Sequence, residues 1–316
     1  MSAVQEARQL DPKKFRDPMV TAGGQPRAHV ELRTLDTLWV NTGTLCNIEC
    51  VSCYIKSSPR NDRLAYISEV EVAGYLDEIA THEFGTRLVG FTGGEPFMNP
   101  GFLGMLTDTL DRGYQALVLT NAMKPMWNKR AGLLKLHSRF TGQLTVRVSM
   151  DHYTSTIHES ERGPNTWKSM LRGLSWLHDQ GFTVNIAGRN LTNEPDTTLR
   201  EGFGRLFDEL GLTLDSTNPL DLVIFPEMDA NADVPEISEA CWEILSTSPD
   251  AQMCASARMV VKRKGADAPA VLACTLLPYD ERFELGTSLT KSGKRVQLNH
   301  PHCARFCVLG GASCST

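Results

Sequence analysis

Apolar residues along this chain follow two alternating rhythms. Short, dense runs such as Thr37-Leu38-Trp39-Val40 and Leu88-Val89-Gly90-Phe91 read as strands, as do residues 116–120, 144–149, 182–186 and 220–225. Between them the apolar positions recur at helical spacing. Ser68 and Glu71 stand at capping-box distance ahead of Val72, Leu76 and Ile79 on one face. Leu103, Leu106 and Leu110 define a second helix that stops at Gly113, and a third falls around Leu133 and Leu134. Met170, Leu174 and Leu177 give another that ends at Gly181, and one more spans roughly Leu199 to Leu210. Ile237, Cys241 and Leu245 repeat at the same interval, so a last helix with Cys241 as a small core residue is expected.

Strand–helix alternation predicts an α/β fold with a parallel sheet covered by helices. Six such units fall short of the eight that close a barrel in about 250 residues, so a partial (β/α)6 barrel is expected, with reacting groups at the C-terminal strand ends. Residues 1–36, polar and punctuated by Pro and Gly, read as an irregular lead-in, and 37–250 as the core. Beyond 250 the rhythm changes. Residues 259–263 and 271–274 flank a turn at Lys264-Gly265-Ala266-Asp267 and predict a β-hairpin. The segment 251–316 is too short for a core of its own, a shortage that metal ligation commonly remedies.

Composition narrows the class. With 41% hydrophobic and 22% charged residues in 316, there is ample material for a core, and disorder is excluded. The net charge of −5 leaves no basic footprint for nucleic acid. No apolar run reaches the ~18–20 residues of a membrane span, and the first residues lack the apolar middle of a signal peptide. A cytoplasmic location is expected, where nine cysteines are not explained by disulfides. They cluster instead: Cys46, Cys50 and Cys53 early, then Cys254, Cys274, Cys303, Cys307 and Cys314 late, with Cys241 apart. Clusters of this kind point to metal or iron–sulfur ligation at two places.

Cys46-x3-Cys50-x2-Cys53 sits on the loop after the first strand, where three thiolates can hold three corners of a cubane and leave one iron open. Gly93-Gly94-Glu95-Pro96 ends the next strand; its glycines permit close backbone approach, Pro96 stiffens the turn and Glu95 adds a carboxylate. Together these motifs, in this order on this scaffold, resemble the radical S-adenosylmethionine (radical SAM) superfamily over roughly residues 37–248. The resemblance implies that Cys46, Cys50 and Cys53 bind a 4Fe–4S cluster whose open iron chelates S-adenosylmethionine. It implies that Gly93, Gly94 and Glu95 grip the methionine amino group, and that the cluster, reduced by an external donor such as flavodoxin or ferredoxin, generates a 5′-deoxyadenosyl radical. Ser149 and Asp151 resemble the family's Ser-x-Asp contact to ribose and methionine, and Arg162 an arginine that meets the methionine carboxylate; a solvated loop charge is the competing reading of Arg162. Many relatives place an aromatic residue just before the third cysteine. Here Ser52 stands there and Tyr54 follows, so the adenine contact passes to Tyr54. Asn121, Asn185 and Arg189 are further polar residues read as strand ends.

The late cysteines resemble the twitch and SPASM auxiliary-cluster modules. Cys254, Cys274, Cys303 and Cys307 match the smaller arrangement, with Cys314 as a competing ligand and a structural zinc as the alternative. His300 and His302 read as neighbours of the ligands. A fully ligated second cluster favours a net oxidation, for which Glu227 and Asp229 are candidate general bases, or else residues of a solvated turn. The substrate is expected to be a small molecule, or a peptide brought by a partner, because only about 35 residues precede the first strand. A non-catalytic electron carrier or redox sensor is the alternative function.

Overall fold

The computed structural model describes residues 9–227 and 229–311. After the short strand β1 (His29–Val30), the chain runs β2 (Thr37–Asn41), α1 (Glu69–His82), β3 (Leu88–Thr92), α2 (Phe102–Asp111), β4 (Gln115–Thr120) and α3 (Lys124–Arg139). It continues through β5 (Leu144–Ser149), α4 (Ser155–Arg162), α5 (Thr166–Asp179), β6 (Thr183–Arg189), α6 (Asp196–Glu209), β7 (Leu222–Phe225) and α7 (Cys241–Ile244). The expected capping box opens α1: Ser68 Oγ accepts from the Glu71 amide and the Glu71 carboxylate accepts from the Ser68 amide. Strands β2 to β7 lie side by side in chain order, all parallel, as the alternating pattern requires.

The C-terminal part adds β8 (Ala257–Val261), β9 (Ala270–Leu272), β10 (Glu284–Gly286) and β11 (Val296–Gln297). β8 and β9 form the expected antiparallel hairpin. β8 also pairs in parallel with the free edge of β2, so one sheet of order β10-β9-β8-β2-β3-β4-β5-β6-β7 runs through both regions. Strand alternation then sorts side chains onto two faces. Leu38, Val40, Val118 and Val260 pack with the helices, whereas Trp39, Leu117, Met259 and Val261 point to a second core under the N-terminal and C-terminal segments.

Three expectations change. The helix around Cys241 is a single turn, because the residues before it pair with the lead-in: the Ala28 amide donates to Ile237 O and the Glu239 amide to Pro26 O. Cys241 is consequently half-buried and Leu245 is 40% exposed. The described part of the lead-in is more ordered than its composition implies, with β1 paired to β11 and buried Arg27 bonded to half-buried Glu236. Asn185 lies within β6, which runs on to Arg189, and its side chain accepts from Arg147 across the sheet at 2.9 Å. No helix among the described residues is long and apolar enough to cross a membrane.

Candidate active site

The chain leaves β2 into a loop that lies directly on the end of β3. The Gly94 amide donates to Gly43 O at 2.8 Å and the Glu95 amide to Leu45 O at 3.2 Å. A Cβ on Gly94 would stand 2.3 Å from Leu45 O, and one on Gly93, at φ +133°, would stand 2.5 Å from Gly43 O. The two glycines are therefore what allows the loop to dock, and docking fixes Cys46 one residue after Leu45.

Glu95 faces the other way. It is 1% exposed and caps the turn Pro96–Met98, and its carboxylate accepts from the Phe97 amide, Thr120 Oγ1 and the Asn121 amide. Burial pushes its carboxyl up to about 7, with those hydrogen bonds opposing. It ties β3 to β4, and neither Glu95 nor Pro96 lines the cavity that opens in front of the glycines.

That cavity, of about 180 Å³, stands at the C-terminal ends of the parallel strands. Cys46, Cys50, Cys53, Gly93, Gly94, Ser149, Asp151, Arg162 and Tyr54 all line it, so residues far apart in sequence meet at one place. Burial pushes the Cys46 thiol up to about 12 and the Cys50 thiol to about 11, the latter eased by Arg162. Asp151 and Arg162 form a two-pronged pair, Nε to Oδ2 at 2.6 Å and Nη2 to Oδ1 at 3.0 Å. Burial alone would raise the Asp151 carboxyl, but Arg162 holds it below the usual carboxylate range. Arg162 is thus largely enclosed, with 14% of its side chain exposed, and paired, which argues against the reading of a solvated loop charge.

Arg189 extends the network. Its guanidinium donates to Glu161 at 3.0 Å and to both oxygens of Glu227 at 3.0 and 2.8 Å. Glu161 also accepts from the amide and hydroxyl of Ser52, at 2.8 and 2.6 Å, so the cysteine loop is stapled to α4. Glu161 was missed as a functional residue, although its position beside Arg162 marked the segment. Glu227 stands behind Arg189, outside the cavity lining; Asp229 is exposed and accepts from the Asn231 amide. Asn121 reaches the cavity and donates to Asn47 at 2.9 Å.

One wall could not be read from local pattern at all. Phe225, at the end of β7, stacks on Phe306 with ring centroids 5.5 Å apart, and Leu276 joins them. Phe306 belongs to a π-helical segment, Cys303–Val308, whose two cysteines turn to a second, small cavity. Cys254, Cys274, Cys303 and Cys307 all line that second cavity, among Met253, Phe283 and Leu298. Burial pushes the Cys254 thiol up to about 11 and raises Cys303 well above its ordinary range. His300 and His302 pack edge to face at 4.6 Å and do not line it. Cys314 lies outside the described residues.

Among the described residues no three His, Cys, Asp or Glu side chains are placed to hold a metal ion. The donor set around the first cavity still suits a cubane: the buried Cys46 and the half-buried Cys50 and Cys53 all line one open space, and thiolates of Cys46 and Cys50 need a cation to offset burial.

The chain is similar to several known proteins. Over 143 residues the chain is 27% identical to the antilisterial bacteriocin subtilosin biosynthesis protein AlbA of Bacillus subtilis (strain 168), covering 45% of this chain and 30% of that one. It is 26% identical over 173 residues to the GTP 3′,8-cyclase of Streptomyces coelicolor, covering 52% of this chain and 49% of the relative. The chain therefore spans less than half the length of these curated relatives. In fold it is similar to SuiB of Streptococcus suis bound to S-adenosylmethionine, with a TM-score of 0.58 at 11% identity, covering 80% of this chain and 63% of that one. The sequence profile of the Radical SAM superfamily matches residues 40–201, just over half the chain, and the protein belongs to that superfamily, which implies a 4Fe–4S cluster and S-adenosylmethionine.

Proposed function

We propose that this protein cleaves S-adenosylmethionine reductively and uses the resulting 5′-deoxyadenosyl radical to abstract hydrogen from a substrate seated against Phe225, Leu276 and Phe306. The observation that carries the reading is the convergence of Cys46, Cys50 and Cys53 with Gly93, Gly94 and the Asp151–Arg162 pair on one cavity. When bound, the cluster on the three thiolates supplies the electron that breaks the sulfonium bond. The remaining contributions come from the chain. Gly93 and Gly94 present backbone to the methionine end, with Glu95 acting behind them as the brace that holds their strand. Arg162 offers a half-buried cation to the methionine carboxylate, and Asp151, with Ser149, a polar face to the ribose. Tyr54 offers the ring for adenine. The apolar wall excludes water from the reacting centre.

The reading extends to architecture. Residues 37–250 serve as the partial (β/α)6 barrel and 251–316 as an auxiliary module, in which Cys254, Cys274, Cys303 and Cys307 hold a second 4Fe–4S cluster. A cluster held there would supply an acceptor for the electron left after hydrogen abstraction, which would make the reaction a net oxidation. Glu227, held by Arg189, which lines the cavity, is the preferred base, and exposed Asp229 the second candidate. The substrate is a small molecule or a peptide, and an external flavodoxin-like or ferredoxin-like donor supplies electrons in the cytoplasm. An electron carrier has no use for a cavity of this lining, which supports the enzyme reading over that alternative. Anaerobic reconstitution with iron and sulfide, followed by dithionite and S-adenosylmethionine, is expected to release 5′-deoxyadenosine. A fully loaded protein that releases none would sink the proposal.

A further inference from the structure

Among the described residues, Arg258 is a buried cation with no anion. It stands in β8, fully buried, and its guanidinium donates only to backbone: Nε to Ser292 O at 3.0 Å, Nη1 to Cys254 O at 2.6 Å and to Ala257 O at 2.8 Å. Nη2 has no partner, and among the described residues no carboxylate pairs with the side chain. Burying a charge without a counter-charge costs several kcal/mol, so folds avoid it unless something offsets it. The bond from Nη1 to Cys254 O sets the guanidinium beside one of the four cysteines around the second cavity. As thiols they are neutral and offset nothing. Bound to metal they are thiolates, and a 4Fe–4S core with four of them carries a net double negative charge in its oxidised state.

We propose that Arg258 is the counter-charge of the C-terminal cluster, placed by β8 to stabilise its reduced form. The inference rests on the reading of Cys254, Cys274, Cys303 and Cys307 as cluster ligands. One-electron reduction makes the cluster more negative, so a fixed cation nearby favours the reduced state more than the oxidised one and raises the midpoint potential. Arg258 is a positioning residue that acts through the cluster and touches no substrate. Its three backbone bonds anchor it, which is why the charge stays at one distance.

The test uses the full chain with Cys46→Ala, Cys50→Ala and Cys53→Ala, reconstituted anaerobically with iron and sulfide so that only the second site can load. Dithionite titration followed by electron paramagnetic resonance reads its potential. Arg258→Gln and Arg258→Met are expected to weaken reduction roughly tenfold, about 59 mV for a one-electron couple, while Arg258→Lys stays near the parent. Iron lost from both neutral variants but kept by Arg258→Lys also supports a charge requirement. Equal potentials in the Gln and Lys variants overturn the proposal and leave the cluster reading standing. A parent that takes up no iron overturns the cluster reading and this inference with it. If neither neutral variant folds, the deciding measurement is thermal unfolding of the parent loaded and stripped: equal stability in the two states overturns the proposal.

Discussion

Cys46 is placed by its neighbours more than by its own contacts. Gly94 has no room for a methyl group, with Leu45 O at 2.3 Å from the position a Cβ would take. Gly94→Ala must push the loop away from β3, at a cost of roughly 1–3 kcal/mol. The expected result is a lower denaturation midpoint together with loss of iron at the first site, measured by urea unfolding and iron analysis on the same sample. A variant with unchanged iron content and stability would show that the loop can shift without disturbing Cys46. The motif was visible in the chain, yet its division of labour was not. Gly93 and Gly94 meet the cavity while Glu95 turns back to Thr120 and Asn121, because β4 brings donors to that spot from 25 residues away. Likewise Arg162 was ambiguous in sequence, since only the fold supplies Asp151 as its partner.

Elements carry two further expectations. Helix α1 depends on a reciprocal cap at its first turn, and Ser68→Ala removes one side of it. A loss of about 1 kcal/mol is expected, read from the shift in denaturant midpoint with the slope unchanged. The lead-in depends on Glu236, which accepts from Arg27, the Phe15 amide and the Ala22 amide. Burial works against its charge, but these donors hold the carboxyl below the usual carboxylate range. A group depressed in the folded state contributes stability that is present above its unfolded value and lost as pH falls through the folded one. Stability should therefore decline on acidification below about pH 4.5, and Glu236→Gln should cost about 3 kcal/mol near neutrality and flatten that part of the acid limb. Thermal unfolding of both proteins between pH 3 and 7 checks it, and identical slopes would remove Glu236 from the account. Sequence pattern located α1 and its cap because both are local. It gave no hint of Glu236, whose partners lie more than 200 residues away.

At the scale of the whole molecule, β8 makes the C-terminal segment part of the main sheet by covering the edge of β2. A chain cut after Asp250 leaves that edge and Trp39 uncovered, and it is expected to aggregate or to lose cooperative unfolding, as followed by light scattering and circular dichroism. The two cysteine sites are nonetheless separate cavities. Replacing Cys46, Cys50 and Cys53 by Ala should lower bound iron from about eight atoms to about four, and loss of all iron would contradict separate sites. Sequence by itself determined the parallel strand order, the helices with strong period, the hairpin and the division of the nine cysteines into clusters. Those features rest on local periodicity and spacing, which a chain carries wherever it folds. Tertiary structure alone decided that β8 joins β2, that Phe306 closes one cavity while its flanking cysteines face another, and that Arg258 is buried with no anion among the described residues. Each of these depends on contacts between distant segments, and nothing in the local pattern of either segment encodes the meeting.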